Sequence, residues 1–136
     1  MVGRLVYLLD TNIILELLLD QDHADQIAVF LNQAAPDSLH ISEFSLYSIG
    51  VILLRLKRFD LFLQSVKDLF LSEVIGLVRL GVEDMAKVSQ VAQAFGLDFD
   101  DSYQYIAAEK FNLELLSLDR DFDRTPRGRK TLEEVM

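Results

Sequence analysis

Residues 5–12, with the sequence Leu-Val-Tyr-Leu-Leu-Asp-Thr-Asn, decide the fold of this chain. The five consecutive apolar residues are typical of a short buried strand in a parallel sheet whose two faces are both covered. From residue 13 the apolar residues recur at helical spacing, which predicts a helix that Thr11 or Asn12 would cap. Asp10 therefore stands where a strand gives way to a helix, and open α/β sheets bind their ligands there.

The rest of the chain repeats this alternation of strand and helix. Short apolar runs predict three more strands, at residues 39–42, 74–80 and 113–118. The periodicity predicts helices between them at residues 22–35, 43–57, 59–71, 82–95 and 99–111, and one short helix within 125–136. Such alternation favours right-handed βαβ crossovers. We therefore expect a three-layer α/β/α sandwich around a parallel sheet of four to five strands.

Composition limits the number of domains and the classes of protein. A chain of 136 residues that is 51% hydrophobic has material for one core, so we expect a single domain over residues 1–136. The absence of cysteine excludes disulfides, thiolate metal sites and a cysteine nucleophile. No apolar run reaches the roughly 20 residues that span a bilayer, and the N-terminus does not resemble a signal peptide. We expect a cytoplasmic protein with no membrane segment.

The charge distribution bears on nucleic-acid binding. A formal net charge of −9 argues against wide, nonspecific wrapping of nucleic acid, because Lys and Arg supply most of that affinity. Basic residues nevertheless cluster near the C-terminus. This cluster is a candidate for holding an RNA backbone, with a solvated surface as the alternative, and it consists of Arg120, Arg124, Arg127, Arg129 and Lys130.

Acidic residues fall at the edge where a ligand would bind, either after a predicted strand or at the start of a predicted helix. They are Asp10, Glu43, Asp101 with Asp100 before it, and Asp119 with Asp121 after it. Each alone has a structural explanation, at a helix N-terminus or in an Asx-turn. Gathered at one edge, several carboxylates would repel each other and hold protons unless a counter-ion joined them. Mg²⁺ or Mn²⁺ is the natural counter-ion, and such centres cleave phosphodiester bonds.

Other kinds of catalytic site find little support. His23 and His40 have no partner at the spacing of a catalytic triad or a metal site. No glycine-rich phosphate loop follows a strand, which removes P-loop and dinucleotide-binding classes. A phospho-acceptor receiver domain would need an aspartate at the end of its central strand and a lysine at the end of its last, and the sequence supplies neither.

The ordered motifs resemble a known family. Leu-Leu-Asp-Thr-Asn around Asp10, Asp101 followed by Ile106-Ala-Ala, and Leu-Leu-Ser-Leu-Asp-Arg-Asp-Phe around Asp119 are similar to those of PIN domains of the bacterial toxin type. The resemblance runs from residue 5 to about residue 122. It implies an α/β/α sandwich and a Mg²⁺- or Mn²⁺-dependent ribonuclease. It also implies a homodimer and a toxin that a small antitoxin protein neutralises.

The resemblance assigns roles residue by residue. Asp10, Asp101 and Asp119 would be the metal-binding and catalytic carboxylates, and Asp121 would be an outer acidic residue. Thr11 and Asn12 would orient Asp10 and the water network around it.

The sequence departs from the family in the helix after the second strand. The family usually carries a glutamate there, and this register puts Ser48 at that position, which can neither bind Mg²⁺ well nor act as a general base. Glu43 is one candidate substitute, with a Cα about 7.5 Å away along the helix, and Asp100 is another. The departure supports an alternative hypothesis, a catalytically weakened PIN-like domain that binds protein or RNA.

Overall fold

The computed structural model describes residues 5–136. Within that range the strands form one parallel sheet in the order β3-β2-β1-β4. The strands are β1 (Tyr7–Leu9), β2 (Leu39–Ser42), β3 (Gly76–Val78) and β4 (Glu114–Leu116). The prediction of a parallel sheet with four strands is confirmed.

Helices cover both faces of this sheet. The α-helices in the described range are α1 (Thr11–Leu18), α2 (Ala24–Gln33), α3 (Glu43–Arg55), α4 (Phe59–Ser65), α5 (Met85–Phe95), α6 (Phe99–Lys110) and α7 (Leu132–Val135). Three further segments are helical: a π-helical segment follows α4, and two 3₁₀ turns precede α5 and follow β4; they span Val66–Leu71, Val82–Asp84 and Arg120–Arg124. None of these helices is long and apolar enough to cross a bilayer.

The two faces of the sheet bury two separate cores because successive strand residues point in opposite directions. Leu9 and Leu116 pack with α1, α2, α3 and α7 on one face. Their neighbours Leu8 and Leu115 pack with α5 and α6 on the other. All four side chains are at most 4% exposed. This double burial explains why the strands appear in the sequence as continuous apolar runs and not as alternating ones.

Helices α3 and α6 start at the predicted residues, Glu43 and Phe99, whereas α1 starts at Thr11, one or two residues earlier than predicted. Asp10 caps α1, in place of Thr11 or Asn12, because its carboxylate accepts a hydrogen bond from the Thr11 amide. Ser42 caps α3 and Asp98 caps α6 in the same way. Helix α5 ends at the predicted position, because Gly96 has a φ of 65°, the left-handed conformation that terminates many helices.

The third strand is shorter than predicted, and the tail contains the predicted short helix, α7, together with a contact that was not predicted. Strand β3 covers the centre of the predicted 74–80 run; it lies at the edge of the sheet, and Leu77 on it is 48% exposed. The tail returns to the sheet, where Lys130 forms an isolated parallel bridge with Leu116. Backbone hydrogen bonds alone make this bridge, so no side-chain pattern announces it.

Candidate functional site

The candidate site lies at the carboxyl edge of the two central strands, β1 and β4. These strands are adjacent and parallel, so Asp10 and the turn that contains Asp119 emerge side by side. The Asp10 amide donates to the Leu116 carbonyl over 2.9 Å and extends the pairing to the end of the strands. The N-terminus of α6, which carries Asp100 and Asp101, reaches the same edge.

Asp10 is buried and held from two sides. It is 3% exposed. One carboxylate oxygen accepts from the Thr11 amide over 2.8 Å, and the other accepts from the Ser117 hydroxyl over 2.6 Å. Ser117 Oγ in turn accepts from the Asp119 amide over 2.9 Å and from the Asn12 side-chain amide over 3.3 Å. One serine hydroxyl therefore connects Asp10, Asn12 and the backbone of Asp119.

Three further acids form the acid cluster, defined here as Asp101, Asp119 and Asp121. One carboxylate oxygen from each lies within 4.8 Å of the others. Asp101 is 7% exposed. Asp119 also accepts a hydrogen bond from the Asp121 amide over 2.8 Å, so the Asx-turn that the sequence allowed exists alongside the cluster. Carboxylates from two distant parts of the chain thus meet at one point.

Burial and mutual repulsion change the acidity of the site. Burial raises the pKa of Asp101 to about 8, and the charges of Asp119, Asp98, Asp10 and Asp100 add to the rise. Burial also raises the pKa of Asp10 to about 6, against the hydrogen bond from Ser117. A carboxyl group with such a pKa keeps its proton near neutral pH unless a positive charge joins it. The donor set, several oxygen ligands with surplus negative charge, fits a hard divalent cation.

The structure does not bring Glu43 into the acid cluster. One oxygen of its carboxylate accepts from the Tyr47 hydroxyl over 2.7 Å, and the other lies 4.0 Å from Arg79 Nε. Glu43 points along its own helix, because residues i and i+4 share a helix face. Ser48 is partly buried on α3, and its hydroxyl has no hydrogen-bond partner among residues 5–136. The geometry therefore does not support Glu43 as the residue that takes the place of the missing glutamate.

A buried polar network behind the acids was missed in the sequence. Ser45 Oγ lies 2.8 Å from Thr11 Oγ1 and accepts from the Gln104 amide over 2.7 Å. The same amide nitrogen donates to Asp100 over 3.1 Å. Ser45 and Gln104 are both fully buried. The available signal was a polar residue among apolar ones, since α6 buries eight consecutive residues from Asp101 to Ala108.

The basic residues near the C-terminus divide into two groups. Arg124 donates to the Phe95 and Gly96 carbonyls, Arg127 to the Leu113 carbonyl, and Arg129 to the Ser117 carbonyl and the Asp123 carboxylate. Arg124 also pairs with Asp121 of the acid cluster over 2.7 Å. These three guanidinium groups therefore have partners within the chain itself. Arg120 is exposed and lines an open cavity of about 290 Å³ beside Ser117. The predicted phosphate-binding surface therefore narrows to Arg120 and the side chain of Lys130.

The fold of this chain is shared with known proteins. A family model described as PIN domain matches residues 7–128. Comparison with curated proteins finds no significant match.

Among solved structures, a toxin-antitoxin complex from Klebsiella pneumoniae superimposes with a TM-score of 0.71 at 19% identity, covering 89% of this chain and 93% of that one. VapBC2 from Rickettsia felis, bound to a DNA fragment from its promoter, has a TM-score of 0.70 at 19% identity, covering 93% and 98%. A crystal structure from Pyrobaculum aerophilum has a TM-score of 0.66 at 23% identity, covering 95% and 90%.

Proposed function

This chain belongs to the PIN domain family, whose members are generally nucleases, and from that premise we propose that it is a Mg²⁺- or Mn²⁺-dependent endoribonuclease. It hydrolyses phosphodiester bonds in single-stranded or looped RNA. The observation that carries the proposal is the acid cluster beside the buried carboxylate of Asp10, in which three carboxylate oxygens lie within 4.8 Å of each other. Acids at this distance oppose folding unless they bind a cation.

The burial and hydrogen bonds of each residue indicate its role in the proposed reaction. Asp101 and Asp119 would hold the ion together with the neighbouring Asp10, and Asp121 lies at the exposed side of the cluster. When bound, Mg²⁺ or Mn²⁺ lowers the pKa of a coordinated water and offsets charge on the reacting phosphate. Ser117 fixes the rotamer of Asp10 through the 2.6 Å hydrogen bond, and Asn12 fixes Ser117. A cation bound by Asp101 would favour its ionised form, because burial and the negative charges of neighbouring acids are what raise its pKa.

The test is cleavage of a labelled RNA by the full chain in Mn²⁺ or Mg²⁺. We expect cleavage that EDTA stops and that D10N and D119N abolish. Asp25 lies exposed in the first turn of α2, so D25N is a matched control that keeps wild-type activity. RNA cleavage that persists at the wild-type rate in D10N and D119N would contradict the proposal.

One observation favours a second function, a PIN-like domain that binds without cutting. Helix α3 contributes no carboxylate to the acid cluster, because its one acid, Glu43, is bonded to Tyr47. This alternative predicts that Mn²⁺ raises the melting temperature while RNA stays intact at high protein concentration. The cleavage assay and the melting experiment together separate the two functions.

The proposed partners are a small antitoxin and a second copy of the chain. Two of the similar structures are toxin-antitoxin assemblies, which supports a toxin role for this chain. Exposed apolar side chains lie along α3, α4 and their junction, a feature typical of interaction surfaces; they include Tyr47, Val51, Leu54, Phe59 and Leu63. We expect a dimer by light scattering and co-purification with the product of a short neighbouring gene. A V51D variant that leaves both assemblies unchanged would contradict this surface.

A further inference from the structure

Helix α3 leaves a gap in the acidic lining of the site. Its side facing α1 and α6 presents the hydroxyl of Ser45, and Ser48, one turn later, is partly buried. Its carboxylate, on Glu43, is engaged with Tyr47. Any additional carboxylate for the acid cluster must therefore come from another element.

Gln104 is an unusual residue for its position on α6. It is 0% exposed, between the buried aromatic side chains of Tyr103 and Tyr105. Its side-chain nitrogen donates both hydrogens, to Ser45 Oγ over 2.7 Å and to Asp100 Oδ1 over 3.1 Å. Its side-chain oxygen is buried with no partner in the described part of the chain. An amide with an unpaired buried oxygen opposes folding, so stability alone would favour an apolar residue here.

Asp100 is the acidic side chain through which Gln104 is connected to the site. The two are four residues apart and so share a face of α6. Asp100 precedes Asp101 directly, is partly buried, and uses one carboxylate oxygen for Gln104. It lies in the first turn of α6 together with Asp101, a member of the acid cluster. The other oxygen of Asp100 has no hydrogen-bond donor among residues 5–136.

We propose that Gln104 is a positioning residue that holds Asp100 beside the acid cluster as an additional carboxylate of the metal centre, in the role that Ser48 does not fill on α3. The bond from Gln104 to Ser45 fixes the amide against α3, so the packing of α3 on α6 sets the direction of Asp100. On this proposal the buried amide lowers stability but is kept because it orders the site. Functional sites are where residues that oppose stability are commonly found. This inference rests on the proposed metal-dependent function.

The test measures Mn²⁺ affinity of the full chain by calorimetry and by the electron paramagnetic resonance of bound Mn²⁺. We expect Q104L and D100N each to bind Mn²⁺ about 10-fold more weakly, the effect typical of residues that orient a ligand. The double variant should bind no more weakly than D100N, since Gln104 acts through Asp100. The metal-free melting temperature of Q104L should equal or exceed that of the wild type, because an unpaired buried oxygen is removed.

The chain supplies a matched control. Gln64 donates to Asp68 over 2.9 Å at the same spacing on an exposed surface, so Q64L should bind Mn²⁺ like the wild type. If Q104L does not fold, Q104M keeps the length of the side chain and is measured in its place.

The outcomes distinguish this inference from the proposed function. Wild-type Mn²⁺ affinity in Q104L overturns the positioning role, whether or not D100N is affected. If D100N and Q104L both bind Mn²⁺ normally while the wild type cleaves RNA, the inference fails and the nuclease proposal stands. If the wild type binds no Mn²⁺, both fail.

Discussion

The acid cluster and the basic segment at residues 120–130 adjoin in the sequence, yet the fold treats their charges in opposite ways. Asp101 is buried among like charges, with no ion pair in the described structure, and its pKa is raised to about 8. Arg124, Arg127 and Arg129 are instead bonded to carbonyl groups and acids of the chain itself. A binding site is therefore marked by charged side chains that lack a partner within the chain, and not by the number of charges in a segment. Asp101 and Asp119 have no ion pair in the described structure, whereas Asp121 is paired with Arg124 and most of the arginines already have partners.

The largest expected effect separates function from stability at the acid cluster. D101N should lower RNA cleavage by about 10³-fold, because it removes a charge that holds the ion. Above pH 8, where Asp101 is ionised, the same change should raise the melting temperature of the metal-free protein, since a buried like charge disappears. Single-turnover cleavage and calorimetric melting measure the two effects. A D101N protein that is both active and less stable would break the contrast between the two regions.

The converse is expected on the basic side. Arg129 is 12% exposed at its side chain and bonds the Ser117 carbonyl and the Asp123 carboxylate. R129A should cost about 1.5–3 kcal/mol of unfolding free energy, the range for hydrogen bonds to charged groups. Urea unfolding measures it, and R55A, at an exposed position on α3, should change stability by less than about 0.5 kcal/mol. Equal stability of R129A and R55A would show that the segment is not structural.

The pH dependence of stability tests whether the acids are uncompensated. The folded state raises the pKa of Asp101 to about 8 and of Asp10 to about 6, so it binds more protons than the unfolded state between those values and the ordinary carboxyl range. Stability of the metal-free protein should therefore fall as pH rises from 5 to 8. One pKa unit is about 1.4 kcal/mol, and for a domain of this size that lowers the melting temperature by about 4 °C. Saturating Mn²⁺ should remove the trend, and a flat profile without metal would contradict the raised values.

The smallest effect concerns Arg120, the exposed arginine of the basic segment. R120A should weaken RNA binding a few-fold, about 0.5–1 kcal/mol for one surface charge, without changing stability. The logarithmic salt dependence of binding should become shallower by about one unit, since one phosphate contact is lost. Filter binding at several salt concentrations measures both. An unchanged salt dependence would remove Arg120 from the RNA contact surface.

Much of the fold was predictable because it depends on local pattern. The apolar runs at β1 and β4 announced buried parallel strands, and the acid after each one marked the carboxyl edge. Asp10 and Asp119 were predicted at one site for this reason, and Asp101 joined them as a helix-start acid that matched the family motif; the structure brings all three to the same edge. Glu43 was a reasonable candidate by the same logic. Only the direction of its side chain, toward Tyr47, removed it from the cluster.

The sequence by itself therefore determined the parallel α/β/α architecture and the set of acids at one edge, since both follow from periodicity and from the ends of strands. The tertiary structure alone decided that Ser117 holds Asp10, that Gln104 joins Ser45 to Asp100, and that three arginines serve the chain itself. These bonds join side chains and backbone groups far apart in the sequence. A hydrogen bond requires its two atoms within about 3.2 Å, and only packing of the helices on the sheet sets distances on that scale.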